Sequence, residues 1–576
     1  MRALRTAGAI ASEERGAALV MTLLVLVVLT AFGLTLVAMG MTEVAVSSNW
    51  RDYSKDFYAA EAATESGVVS LRNLLATTPT PTQTELNGIA TPPTLSDPRL
   101  TFAAYTINAV TPTAYRKTFA TGPYSGLFGW IQDYRIQAQV NGQGGTRAKL
   151  NQVLQYTRVP LFQFGIFYGK GVDLELRPGV AMTFNGRIFA NSNLHIAAGS
   201  TLQIAGSVKA AGNIYRSIKS DPSYPAGNNP EIADANGTLQ TLNFDHTYQT
   251  GFTQLWASAS AWANQATQSF GGQVQDSTMG VGQIIPPLPG LFENPSNPDV
   301  VSHQLIEMVQ PSDSPALKAA KLYSGAGLRI VDGVATDQSG SAVPLPANAV
   351  TARTFYDARE LKTMTSYDID VNVLRTNGAL PSNGVVYVAG TNTAANPVVR
   401  LVNGSQLPNQ GLTFISQNPI YIAGDYNTAI GASGTHPPAA VLADAVTVLS
   451  NAWAPNNYDS KGAQVYQNRV ASDTTVNAAI ATGPSAESTS GNSNGLANNL
   501  VRFLEDWSNK TFGYSGSLVA LWHSQQATAP WRPVTSPTSY YYPPNRIWSY
   551  DTLFDTTPPP GTPMGIIMIK GPWSQS

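Results

Sequence analysis

The sequence predicts a mainly β protein that begins with one long α-helix and continues into a β-rich body. Three observations support this fold class. Residues 17–42 form an apolar run without a single charge, and a helical period continues after it as far as residue 76. Further along, short alternating strands recur with a step of 20 residues. A repeat of that kind is typical of stacked coils, so we expect the body to contain a parallel β-helix (solenoid) with a partly helical insertion.

The apolar run predicts a helix that spans a membrane. A cleaved secretion signal has an apolar core of only about 7–15 residues, which is much shorter than 17–42. At about 1.5 Å rise per residue, a helix over this run is long enough to cross a bilayer core of about 30 Å. Arg2, Arg5 and Arg15 precede it. We therefore expect a single-pass protein with its N-terminus in the cytoplasm and its C-terminal body outside.

The helix is expected to continue beyond the membrane. The first proline of the chain is Pro79, and apolar or small residues recur before it at steps of three and four. This period predicts one helix over 17–76, of which the second half is amphipathic. The alternative is a plain anchor followed by a separate amphipathic helix. The stripe consists of Trp50, Tyr53, Phe57, Ala60, Thr64, Val68, Leu71 and Leu75.

The segments after the helix predict a change to β structure. Residues 77–99 are rich in proline and threonine, which is typical of an extended linker. Alternating strands at 133–140 and 148–159 flank a glycine-rich turn. They predict an antiparallel hairpin within a β segment at 100–160.

The 20-residue repeat aligns LELRPGVAMTFNGRIFANSN with the next 20 residues, LHIAAGSTLQIAGSVKAAGN. Leu174 is aligned with Leu194, and Gly186 with Gly206. We predict coils at 161–225 and again at 381–455, although chance similarity within a meander remains the alternative. Between them, 226–380 is an expected insertion with helical signals at 257–270 and 315–323. Residues 456–576 are an expected C-terminal cap region with a short helix at 496–507.

The N-terminal segment resembles the PilX N-terminal family of type IV pilus assembly and minor pilin-like proteins. The resemblance rests on the RGAALV opening at 15–20 and on AAEA at 59–62. It implies that a prepilin peptidase cuts between Gly16 and Ala17 and that the helix is retained. It also implies other pilins or minor pilins as partners, with the protein in the inner membrane before assembly and then at the cell surface or in a pilus. Major pilins of this kind carry Glu at the fifth mature position, where this chain has Met21.

Composition narrows the remaining function classes. Charged residues make up only 12% and the formal net charge is -2, so no basic face for nucleic acid is expected. The absence of Cys excludes disulfides and Cys-ligated zinc. Common catalytic and nucleotide-binding motifs are missing from the sequence. We therefore expect neither an enzyme nor a cofactor.

Two local features could still bind a ligand. Asp368, Asp370 and Asn372 alternate as if on one strand face, which predicts either a weak calcium site or a solvated face. Aromatic residues are concentrated at 450–460 and 539–551. They are expected either to cap the ends of the coils or to bind a surface glycan or protein.

Two functions follow from these observations. The first is a minor pilin-like structural component of a type IV pilus or pseudopilus, placed at the tip, whose β-helical domain serves assembly initiation or adhesion. The alternative is a membrane-anchored β-helix protein that binds or modifies carbohydrate and never enters a fibre. The Gly16–Ala17 junction favours the first, because an anchored enzyme needs no processed helix.

Overall fold

A computed structural model describes residues 3–142, 147–217, 219, 228–246, 255–256, 259–285, 302–431, 434–486 and 494–575. It begins with a single uninterrupted helix, α1 (Ala3–Leu75). This confirms the prediction of one continuous helix over 17–76. The capping-box helix α2 (Gln83–Ile89) follows, in which the Thr82 side chain and Glu85 cap each other's backbone. The linker predicted at 77–99 is thus not extended throughout.

The second half of α1 packs on a five-stranded sheet of β1 (Thr101–Ala109), β2 (Tyr115–Thr118), β3 (Phe128–Asn141), β4 (Arg147–Pro160) and β34 (Met564–Gln575). The order is β1-β3-β4-β34, and β2 also pairs with β3. The pairing of β3 with β4 is antiparallel, so the predicted hairpin is confirmed. We call α1, α2 and these five strands the helix–sheet unit.

The last strand of the chain returns to this unit. β34 pairs antiparallel with β4, beginning with Met564 opposite Pro160. Residues 161–563 therefore lie between two neighbouring strands of one sheet. The region 456–576 does not form one separate cap, because its final strand belongs to the sheet that packs on α1.

The intervening residues, which we call the body, are mainly β. Their strands are β5 (Ile166–Tyr168), β6 (Leu174–Leu176), β7 (Met182–Phe184), β8 (Ile188–Ala190), β9 (Leu194–Ile196), β10 (Leu202–Ile204), β11 (Val208–Ala210), β12 (Ile214–Tyr215), β13 (Glu231–Ala233), β14 (Leu239–Thr241), β15 (Asp245–His246), β16 (Leu255–Trp256), β17 (Val274–Gln275), β18 (Leu328–Val331), β19 (Val334–Asp337), β20 (Val350–Asp357), β21 (Lys362–Asp370), β22 (Val385–Ala389), β23 (Pro397–Val402), β24 (Leu412–Ser416), β25 (Ile420–Ala423), β26 (Ala439–Ala443), β27 (Val446–Leu449), β28 (Thr474–Asn477), β29 (Ala479–Thr482), β30 (Arg502–Phe503), β31 (Thr511–Gly516), β32 (Leu518–Ala520) and β33 (Asn545–Tyr550).

Among the described residues, the α-helices of the body are α3 (Ala259–Phe270), α4 (Pro315–Ala320), α5 (Leu322–Gly325) and α6 (Val371–Thr376). The first three lie where the sequence predicts helical segments. The helix predicted at 496–507 is wrong, because that segment contains a 3-10 turn at Ala497–Asn499 and then strand β30. Most of the apolar residues of this segment are buried. In a short buried segment the pattern of apolar residues does not distinguish a strand from a helix.

The largest sheet of the body has eleven strands in the order β17-β11-β8-β5-β32-β29-β26-β24-β22-β18-β19. Pairing is parallel except between β18 and β19, which form an antiparallel hairpin at one end. The chain first enters this sheet at β5, which lies near the middle of the sheet, and then adds β8, β11 and the edge strand β17. It then re-enters near the opposite edge at β18 and returns to β32, which pairs with β5. Residues 226–380, expected to be an insertion, contribute β17 and β18 to it.

The predicted 20-residue register is present in the strand pairing. Leu174 pairs with Leu194, Met182 with Leu202, and Ile188 with Val208. The side chains of all six are buried. The aligned glycines Gly186 and Gly206 do not adopt a positive φ. A Cβ at Gly206 would collide with the carbonyl group of Gly186. Glycine is therefore required at 206, because the two successive turns approach each other closely there.

Candidate functional site

The first half of α1 is apolar and has no packing partner among the described residues. The described segment Gly16–Leu75 has an apolar window of mean hydropathy 2.7, none of which is buried. Both the length and the apolar character of this helix are sufficient for it to cross a membrane. Threonines within it donate their hydroxyls to carbonyls of the preceding turn, as in the 2.7 Å bond from Thr35 to Ala31. Their polar groups are therefore satisfied within the helix, as an apolar solvent requires.

The predicted processing site lies at the start of this exposed segment. Gly16 and Ala17 are both exposed and within α1. Met21 is 72% exposed and points away from the rest of the described chain. The helix thus presents the junction and the fifth mature position together, one turn apart.

Beyond residue 55 the same helix is fixed to the sheet. Ala60, Thr64, Val68, Leu71 and Leu75 are fully or almost fully buried. Their positions confirm the second half of the predicted stripe. At the other end of the stripe, Trp50 is 66% exposed and so extends beyond the sheet.

Gly67 sets the distance between helix and sheet. A Cβ at this position would lie 2.6 Å from Cγ2 of Ile136 and 2.7 Å from the Tyr105 hydroxyl, which donates to the Ala63 carbonyl at 3.1 Å. Only glycine allows this approach. The sequence reasoning missed Gly67, although an isolated glycine within a helical pattern is a signal of close packing.

One ion pair and one hydrogen bond also join the helix to the last strand. Lys570 of β34 is paired with Glu65 of α1, and Gln575 bonds the Tyr53 hydroxyl. Trp573 makes an edge contact with Phe57. The end of the chain is therefore attached directly to the helix that carries the apolar segment.

The prediction that Asp368, Asp370 and Asn372 share one strand face, as either a weak calcium site or a solvated face, is wrong about the strand. Asp368 is the partner of Arg400, whose Nη2 donates to its Oδ2 at 2.6 Å and whose Nη1 donates to Asp459 at 2.6 Å. Asp370 ends strand β21 and caps α6 through the Val373 amide. Asn372 lies within that helix and not on the strand. No cluster of three potential metal-ligating His, Cys, Asp or Glu side chains occurs among the described residues.

A buried histidine joins distant parts of the body. His303 lies between Glu307, at 2.9 Å from Nδ1, and Asp444, at 3.1 Å from Nε2. Burial lowers the pKa of His303, but the two carboxylates outweigh it and raise the pKa above the ordinary value. Asp444 is further held by the Ser524 hydroxyl at 2.5 Å. Because the serine contacts the carboxylate and not the imidazole, this arrangement supports packing and not nucleophilic catalysis.

Most rings of the two aromatic stretches are buried inside the body, whereas Tyr542 is 40% exposed. Trp453 donates to Asp459 at 2.7 Å, and Trp548 and Tyr550 lie on β33. β33 pairs with β31 and packs near β7, close to where β32 and β5 meet. The expectation that these rings cap the ends of the stack is therefore wrong for β33, which lies near its middle.

Comparison with known proteins finds similarity at the N-terminus. Residues 15–65 match the family model described as PilX N-terminal. Among solved structures, the competence-associated pilin ComZ from Thermus thermophilus is similar at 10% sequence identity and a TM-score of 0.29, covering 91% of this chain and 98% of ComZ. No curated protein matches the sequence. The matched segment contains Gly16, Ala17, Met21 and the start of the contact with the sheet, and this N-terminal segment of the chain is therefore type IV pilin-like.

Proposed function

We propose that this protein is a minor pilin-like component at the tip of a type IV pilus or pseudopilus, where it displays its body for assembly initiation or adhesion. One observation carries the proposal: the apolar half of α1 is unpaired in the described structure, while its other half is fixed to a sheet that contains both connections to the body. Such a chain can insert a helix among other pilin helices while its body remains outside the shaft.

The body is interpreted as a parallel β-helix. Support comes from the parallel pairing in the eleven-stranded sheet and from the 20-residue step between successive strands. Stacked coils form an elongated, rigid module. A display role suits such a module better than catalysis does, and we propose no enzymatic function.

Met21 supports placement at the tip. The family resemblance implies that a Glu at this position pairs with the free α-amine of a neighbouring subunit. In lipid an unpaired carboxylate is costly, whereas a subunit with no neighbour above it has no amine to pair with. An apolar side chain avoids that cost. The fifth mature position therefore favours a subunit that begins the fibre.

The size of the body supports the same placement. Residues 161–563 leave the sheet at the end of β4 and return to it at the start of the adjacent β34. In a packed shaft every subunit is surrounded by others, and so large a module would have to fit between them. At the tip it meets no such restriction, and we expect few copies per fibre.

Immunogold labelling of intact pili with antibodies against the body tests this proposal. We expect label at fibre ends. Label along whole shafts would contradict the tip position. Label confined to the cell envelope would favour the second function, a membrane-anchored carbohydrate-binding or carbohydrate-active protein.

The proposed processing is tested separately by N-terminal sequencing of the native protein. We expect the mature chain to begin at Ala17, with the C-terminal body accessible to protease added outside the cytoplasm. A chain that still begins at Met1 would contradict processing by a prepilin peptidase.

A further inference from the structure

A large polar cleft lies between the helix–sheet unit and the body. Its volume is about 890 Å³, which is within the usual range for small-ligand sites of about 300–1,000 Å³. The loop 121–126, which follows β2, forms one side, and residues 550–555 form another. The floor is the outer surface of successive strands around β8, β11 and β17. The cleft is distinct from the membrane helix, and the aromatic stretch 539–551 reaches it only through Tyr550.

The main charged group in this cleft without a charged partner is Lys209. Its side chain is 8% exposed, and its ammonium donates to the Pro123 carbonyl at 2.6 Å. The described part of the chain offers that ammonium no carboxylate within ion-pair distance. A buried ammonium without a counter-ion is costly. Burial and the nearby Arg187 lower the pKa of Lys209 to about 8, which agrees with this geometry.

The other charges of the cleft neutralise each other. Arg187 donates to Asp555 at 2.7 Å and to the Gly126 carbonyl at 3.3 Å. Tyr550 also donates to Asp555, at 3.0 Å. Because Asp555 is already engaged by these two groups, the cleft retains one net positive charge on Lys209.

Neutral hydrogen-bonding side chains line the rest of the cleft. Gln275 lies on β17 directly beside Lys209, since the two residues are register partners on parallel strands. Further amide and hydroxyl groups come from Asn185, Ser207, Gln273, Thr121 and Ser125. A ligand that matches this lining places one negative charge at Lys209 and offers several hydroxyl groups to the rest of the cleft.

We propose that this cleft binds an acidic saccharide, with the carboxylate of a uronic acid residue at Lys209 and its hydroxyls at the surrounding amide and hydroxyl groups. The carboxylate supplies the counter-ion that Lys209 lacks. The neutral groups orient the saccharide by hydrogen bonds to its hydroxyls, as polar groups do in small-ligand sites. The inference deepens the proposed display function, because it names what the displayed body holds, but its test does not require a pilus.

Binding is measured by isothermal titration calorimetry on the full chain in a polyoxyethylene detergent, which has no sugar headgroup. The probes are trigalacturonate, the uncharged galactotriose and inorganic phosphate. We expect trigalacturonate to bind at least tenfold more tightly than either of the others. Equal binding of galactotriose, equal binding of phosphate, or no binding of trigalacturonate would each overturn the proposal.

Variants locate the site. Lys209→Met is expected to weaken trigalacturonate binding at least tenfold, whereas Lys117→Met, which removes an exposed lysine on β2, leaves it unchanged. Gln275→Glu places a carboxylate beside Lys209 and is expected to abolish binding without lowering the melting temperature. This second variant separates loss of the site from loss of the fold. Wild-type binding by Lys209→Met or by Gln275→Glu would overturn the assignment. A negative immunogold result would affect only the placement in a fibre.

Discussion

Replacing Gly206 with alanine tests the close stacking of the repeat strands. The added Cβ would collide with the carbonyl group of Gly186 and lie 2.9 Å from the Arg187 nitrogen. Both obstacles are backbone atoms, so no side-chain rotation relieves the contact. We expect the two successive turns to separate by about 1 Å, beyond good hydrogen-bonding distance for the bonds beside them.

The magnitude follows from those neighbouring bonds. Ala205 donates to the Phe184 carbonyl at 2.7 Å, and Ile188 donates to the Ser207 carbonyl at 2.8 Å. Weakening two buried backbone hydrogen bonds at about 1 kcal/mol each, with some overpacking, predicts a loss of about 2–3 kcal/mol in the free energy of unfolding. Urea denaturation of the full chain in detergent, followed by tryptophan fluorescence, measures this loss.

Gly179 provides the matched control. It belongs to the same repeat, but a Cβ there meets nothing within 4 Å and its φ is not positive. Gly179→Ala is therefore expected to change stability by less than about 0.5 kcal/mol. If Gly206→Ala is as stable as Gly179→Ala, the turns are not stacked as described and the β-helical interpretation of the repeat fails.

Three further predictions concern the body and its attachment. The pKa of His303 is raised in the folded state, so the protonated imidazole stabilises the fold fully below its unfolded pKa near 6.5. This stabilisation is lost as pH rises through the folded pKa. Thermal melts between pH 6 and 9 should show this loss for the wild type and not for His303→Gln. Arg400→Met removes the buried guanidinium that Asp368 and Asp459 share and leaves Asp368 only the more exposed Arg353, at 3.4 Å, as a cationic partner. The change should cost about 3 kcal/mol in urea denaturation, and an unchanged midpoint would contradict a structural role for this ion pair. Deleting 161–563 and joining β4 to β34 through an Asn-Gly turn should leave the helix–sheet unit folded. Circular dichroism and amide hydrogen exchange measure this. Rapid exchange of the sheet amides would show that the unit depends on the body.

The parts of the fold that sequence analysis predicted have local signals. The membrane segment is a long apolar run, the amphipathic half of α1 has a helical period, and the alignment of Leu174 with Leu194 is repeated in the chain itself. Long-range pairings leave no such signal. Nothing near Ile166 or Leu518 indicates that β5 and β32 are neighbours, and nothing in β34 indicates that it pairs with β4.

The same distinction applies to the sites. The RG-A junction and Met21 are recognisable because they lie in one short segment. The Asp368 cluster was misread because alternation suggested one strand, while the chain turns into a helix at residue 371. The cleft at Lys209 was missed because its sides come from segments more than 80 residues apart, which only the folded chain brings together.

The double connection between the helix–sheet unit and the body has a mechanical consequence. Pro160 and Met564 are paired, so a force that pulls on the body enters the sheet through two adjacent strands at the same end. These strands are pulled in the same direction and are not sheared against each other. The load is divided between them, and β4 resists sliding through its twelve paired positions with β3. A second connection also restricts rotation of the body about its attachment, so tension on the body would be transmitted to α1 with little twisting of the joint.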